Sequence, residues 1–128
     1  MKKLNLEELI ARKNQSEADR EQLKVIEVER LGFALMFKKL PMGRYLEICG
    51  DMDYNNGPDV IEKMIQLIYE SCPALHDKQL LEGLAEPYDV VGLIFNDNIG
   101  AITDVGKEIN ASFYGLGEME KTKKNLKN

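Results

Sequence analysis

Cys49, Cys72 and His76 are the side chains best suited to nucleophilic or metal chemistry in this sequence, and their spacing favours neither. A structural zinc site takes about four thiolate or imidazole ligands. Here the three stand 23 and 4 residues apart with no repeat and no CxxC pair. Cys72 and His76 have the i, i+4 spacing that would meet on a helix and pair a thiol with a base, but Pro73 between them breaks that geometry. His76 adjoins Asp77, yet neighbours on a helix point apart, and the pair reads as the start of a helix. Two reduced, partly buried cysteines are the expectation. The acids of Asp51-Met52-Asp53-Tyr54-Asn55-Asn56-Gly57 are spaced like the start of a calcium loop, and Glu62 falls at the twelfth place. The required glycine comes one residue late, and Asp59-Val60-Ile61 already has helical character. A turn leading into a helix is the simpler reading. The sequence has no Gly-rich phosphate loop, GxSxG, HExxH or carboxylate pair at metal spacing. The expectation is a protein that is not an enzyme, with no catalytic residue, metal or cofactor.

The elements that would carry these residues are mostly helical. Asn5 caps a short helix through Lys13, with Glu7 and Glu8 in its first turn and Leu6, Leu9, Ile10 and Lys13 on one side. From Asn14 to Gln22 no apolar residue exceeds alanine, so residues 1–22 read as a helix followed by a linker or frayed arm. Val25, Ile26 and Val28, a break at Leu31-Gly32, and then Phe33, Leu35 and Phe37 at period two predict a β-hairpin. A continuous helix through Leu23, Ile26, Arg30, Phe33 and Phe37 is the alternative. Met42 to Cys49 forms a helix between Pro41 and Gly50. Asp59 to Ser71 has the strongest periodicity, with Val60, Ile61, Met64, Ile65, Leu67 and Ile68 leaving a narrow polar face. Cys72-Pro73 stops it. A short helix then spans Asp77 to Leu84 with Leu80, Leu81 and Leu84 inward, another starts at Glu86-Pro87, and a last one runs from Ile99 to Tyr114. The predicted class is mainly α with a small β-hairpin (α+β): an N-terminal arm over 1–22, one globular unit over 23–116, and a flexible basic tail over 117–128.

At 128 residues, one domain is the prior, and 44% hydrophobic with 30% charged side chains matches ordinary globular usage. An uncharged run such as Met64 to Tyr69 is far short of the roughly 20 residues that cross a bilayer, so no membrane partner is expected. The net charge of −5 disfavours nucleic acid as a partner. It is unevenly spread. Residues 47–104 hold twelve acids against Lys63 and Lys78 alone, whereas residues 105–128 hold five lysines against three acids. Such asymmetry suits either a solvated face or end-to-end self-association.

Ile68-Tyr69-Glu70-Ser71-Cys72-Pro73-Ala74-Leu75-His76-Asp77-Lys78-Gln79-Leu80, then Glu86-Pro87-Tyr88-Asp89-Val90-Val91, then Ile99 to Gly115, resembles the tail assembly chaperones of long-tailed bacteriophages and prophages, of the XkdN-like type. The similarity covers roughly residues 24–116. Ser71, Cys72 and Pro73 correspond to a helix stop, Asp77 to the next cap and Pro87 to a Pro-led helix; these are structural positions. The resemblance implies a non-enzymatic cytoplasmic protein of the bacterial host cell that coats the tape measure protein before the tail tube polymerises, is not retained in the mature virion, and forms homo-oligomers. It also implies a longer, frameshifted form whose extension contacts the tail tube protein, and Lys121 to Lys127 is the stretch where A-rich slippery codons are expected. The basic tail departs from the acidic body.

A long helical client exposes apolar stripes that would aggregate, and a small acidic protein with an apolar groove would cover them. The candidate groove joins Leu6, Leu9 and Ile10 of the arm to Phe33, Leu35 and Phe37 of the hairpin; the competing reading is that the same residues close the chain's own core. The functional alternative is a small phage-encoded adaptor or regulatory protein that binds one folded partner through the acidic middle, with a structural virion protein third.

Overall fold

The computed structural model describes residues 1–117, so most of the tail expected over 117–128, including the lysine-rich stretch from Lys121 to Lys127, lies outside the described residues. Among those described, a two-stranded antiparallel hairpin accompanies six helices, the mainly helical class with one small sheet that the sequence predicts.

The arm is longer and more regular than expected. Helix α1 spans Leu6–Arg20 without a break. Asn5 and Glu8 close a capping box: Asn5 Oδ1 accepts from the Glu8 N–H at 2.9 Å, and the Glu8 carboxylate accepts from the Asn5 N–H. Beyond Lys13, where a linker was expected, two i, i+4 contacts continue the helix: Lys13 with Glu17 at 2.7 Å and Gln15 with Asp19 at 2.9 Å. Local polar pairs therefore sustain a segment that has nothing to bury, and no residue of α1 is buried.

Residues 23–38 are the hairpin, not the alternative helix. Strand β1 is Leu23–Val28 and β2 is Phe33–Lys38. The register pairs Lys24 with Phe37, Ile26 with Leu35 and Val28 with Phe33 on the inner face, and Leu23 with Lys38, Val25 with Met36 and Glu27 with Ala34 on the outer face. The Leu31 and Gly32 N–H groups both donate to the Val28 carbonyl, and Gly32 turns the chain at φ +74°. Glycine adopts that conformation without the Cβ clash that resists it in other residues.

Helix α2 (Met42–Cys49) follows Pro41, and α3 (Gly57–Ser71) starts at an Asn56 cap with Pro58 in its first turn. A 3₁₀ turn over Pro73–His76 and a single helical turn, α4 (Lys78–Leu81), come next. The helix expected over Asp77 to Leu84 is thus shorter, because Gly83 enters the left-handed region, and Leu80 is exposed while Leu81 and Leu84 pack on the core. Helix α5 (Asp89–Ile94) starts two residues after Pro87, and Asn96 and Asp97, both left-handed, turn the chain into α6 (Ile99–Tyr114). Gly115, at φ +71°, caps α6.

The core sits where α3 and α6 cross beneath the inner face of the hairpin. Met64, Leu67 and Ile68 of α3 meet Ile102, Val105 and Ile109 of α6, with Phe37, Val91 and Phe95 filling the remaining space. Polar ties pin the hairpin and α2 to α6: Lys24 Nζ donates to the Ser112 carbonyl at 3.1 Å and lies 5.0 Å from the Phe113 ring centroid, and the Tyr45 hydroxyl donates to Asn110 Oδ1 at 2.6 Å. Tyr114 and the Leu40 backbone exchange two hydrogen bonds, at 3.1 and 3.3 Å. No helix among the described residues is long and apolar enough to cross a membrane.

Candidate functional site

The groups capable of reaction chemistry are engaged in holding the fold. Cys49 and Cys72 are free thiols, both buried, and burial pushes the pKa of each up. His76 Nε2 lies 2.8 Å from the Tyr69 carbonyl, and its ring packs on the Tyr69 ring at 4.4 Å. Asp77 caps α4 by accepting from the Gln79 N–H at 2.8 Å. Ser71 is the last residue of α3, Cys72 caps its end and Pro73 opens the 3₁₀ turn. The acids of the 51–59 turn bind its own backbone: Asp53 Oδ1 accepts from the Asn55 N–H at 3.0 Å and Asp59 Oδ2 from the Asp53 N–H at 2.8 Å. No group of three or more His, Cys, Asp or Glu among the described residues is placed to hold a metal ion.

One charged cluster has no sequence signal. Arg44 of α2 embraces Glu70 of α3 with both arms of its guanidinium, Nε at 2.6 Å from Oε1, and reaches Glu47 at 2.7 Å. The Tyr88 hydroxyl donates to the same Glu70 carboxylate at 3.4 Å. The carboxylates raise the Arg44 pKa further above its usual value, and the cluster ties α2, α3 and the start of α5 together.

The thiols and tyrosines make a pH prediction. Burial is the largest cause raising the pKa of Tyr45, Tyr114, Cys49 and Cys72 alike. The folded chain therefore holds these protons at pH values where the unfolded chain, with thiols near 8.5 and phenols near 10, releases them. Stability from these groups is fully present below about pH 8.5 and is lost as pH rises above it. Urea midpoints should fall steadily from pH 8 to pH 11, and both thiols should resist an aromatic disulfide reagent until the chain unfolds.

Apolar side chains are also accessible. The arm residues Leu6, Leu9 and Ile10 are exposed at 72%, 51% and 49%. The hairpin residues expected to join them do not. Phe37 is wholly buried in the core, Phe33 is half-buried edge-on to Phe95 at 5.9 Å, and Leu35 packs against the core. The period-two pattern places these three on the face turned towards α6, so they close the chain's own core, and the proposed groove is corrected to the arm alone. The hairpin's other face carries exposed apolar side chains. Val25 is 62% exposed, and Leu23 and Met36 about half, side by side across the ladder. Their signal was the apolar content of the alternate positions, masked by the stronger aromatic set between them.

A second surface is a groove of about 730 Å³ beside α3 and α5, lined by Ile65, Leu84 and Leu93 and by the carboxylates of Glu62, Glu86, Asp89 and Asp97. Comparison with protein-family models, with curated proteins and with solved structures returns no match.

Proposed function

We propose that this protein is a tail assembly chaperone of a long-tailed phage or prophage, which binds the tape measure protein through apolar surface and keeps it soluble in the host cytoplasm until the tube forms around it. The observation that carries the reading is α1: a regular helix that buries none of its residues yet presents Leu6, Leu9 and Ile10 on one side. A free-standing apolar stripe at i, i+3, i+4 is suited to lie along another amphipathic helix, and a long client offers that contact many times. The resemblance around Ser71, Cys72, Pro73, Asp77 and Pro87 points the same way, and the thiols, the histidine and the clustered acids are already occupied in structural roles. On this reading the protein catalyses nothing and leaves before the virion is complete. A frameshifted extension, where made, would add contacts to the tail tube protein.

The groove beside α3 and α5 favours a second reading, an adaptor that takes one basic amphipathic segment of a folded partner, because four carboxylates line it together with apolar side chains and no Lys or Arg is among the lining residues. Co-expression separates the two. Wild-type protein should keep the tape measure protein in the soluble fraction, and Leu9→Asp, at an exposed position, should lose that effect while retaining the wild-type thermal midpoint. Equal client solubility with the folded variant would contradict the chaperone role of the arm.

A further inference from the structure

We infer that residues 118–128 of this chain occupy the cleft between β1 and α6, with their lysines against Glu27, Glu29 and Glu108. The cleft encloses about 390 Å³. Every residue from 25 to 28 lines it, and because neighbours along a strand point to opposite faces, a cleft that touches all of them runs along the backbone edge of β1. Among the described residues that edge has no strand beside it, since β1 pairs with β2 alone. An unpaired edge presents a row of N–H and C=O groups for another length of chain to cover.

The opposite wall is α6, through Ala101, Asp104, Val105 and Glu108. Glu27, Glu29, Asp104 and Glu108 line the cleft against one cation, Arg30, which Asp104 already holds at 2.6 Å. The other three carboxylates are exposed, and among the described residues none has a Lys or Arg partner; Glu108 accepts from the Ser112 hydroxyl. The chain leaves α6 beside them. After the left-handed Gly115, Gly117 packs so closely on α6 that a Cβ there would stand 2.6 Å from the Ala111 Cβ. Ala111, Glu108, Asp104 and Ala101 follow at helical spacings of three and four, so Gly117 stands one turn beyond Glu108 on the face that walls the cleft. From Ala111 to Ala101 is about 15 Å along the helix, and residues 118–128 reach at most about 36–40 Å. They carry Lys121, Lys123, Lys124 and Lys127, with no acid after Glu120. Tethering at the mouth of the cleft gives this segment an effective concentration of order mM, so exposed ion pairs too weak to retain a free peptide suffice. The acidic groove beside α3 and α5 is the poorer fit, because its Asp97 precedes α6 and lies at the far end of that helix from Gly117. The contact leaves the stripe of α1 free, so it stands or falls apart from the chaperone reading.

Zero-length carbodiimide cross-linking of the full chain, read by mass spectrometry, tests this. Lys121, Lys123 or Lys124 should couple to Glu27, Glu29 and Glu108, and a mixture of isotope-labelled and unlabelled chains should give products within one copy. The double variant Glu27→Lys with Glu29→Lys alters exposed positions, and far-UV circular dichroism confirms its fold. Its coupling to the untouched Glu108 should fall at least about fivefold, because two attractive contacts become repulsive. Coupling confined to Glu118 and Glu120, or to the carboxylates beside α3 and α5, would overturn the inference. So would mixed-label products, which place the segment on a second copy, or an unchanged Glu108 yield in the folded double variant.

Discussion

Phe37→Ala is expected to lower the free energy of unfolding by about 3–5 kcal/mol, a large share of the 5–15 kcal/mol typical of a domain. The ring is wholly buried, and its strand neighbours Phe33 and Leu35 already pack against the core, so no neighbouring side chain is free to fill the space it leaves. Phe37→Asp would go further, setting a carboxylate in the same site, and should unfold the chain. By contrast Leu9→Ala, half-exposed on the arm, should change stability by no more than about 0.5 kcal/mol. Urea denaturation of Phe37→Ala and Leu9→Ala measures the difference, and far-UV circular dichroism shows whether Phe37→Asp is folded. A Phe37→Ala cost under about 1 kcal/mol would mean that the hairpin's aromatic face is not core. The consequence for binding work is direct: lost client solubility in Phe37→Asp reports unfolding, and only arm and outer-face variants report binding.

Gly106→Val should cost about 1–3 kcal/mol through overpacking. Gly106 sits on α6 where α3 crosses it, and a Cβ there would stand 2.3 Å from Met64 Sδ and 2.9 Å from Met64 Cγ. Met64 is itself buried, so its flexible thioether has little room to retreat. The double variant Met64→Ala with Gly106→Val tests the contact. Shortening the methionine should relieve the added branch and give a favourable coupling of at least about 1 kcal/mol, whereas strictly additive costs would place the two helices further apart than described.

Much of the architecture was legible in the sequence because the signals were local. Pro41, Cys72-Pro73 and Gly115 punctuate helices by chemistry that acts within one turn, and all three mark boundaries found, whereas α3 starts at Gly57 behind an Asn56 cap, two residues before the expected Asp59. The length of α1 has no apolar signature after Lys13, because Lys13–Glu17 and Gln15–Asp19 continue the helix through polar contacts. The Arg44–Glu70 pair, at a separation of 26 residues, follows from how α2 lies against α3, which no local pattern encodes. The candidate site was half legible. Periodicity gave Leu6, Leu9 and Ile10 one side of a helix, but period two assigns residues to opposite faces without saying which face meets the core. The aromatic set of Phe33, Phe37 and the neighbouring Leu35 proved to be the inner one, leaving Leu23, Val25 and Met36 outside.

The central claim is that this chain works by lending apolar surface repeatedly to a longer, stickier client. The mass of the complex purified from co-expression with full-length and shortened tape measure proteins tests it most directly. A chaperone predicts many copies per client, rising in proportion to the client's length; a single copy at every length would contradict it.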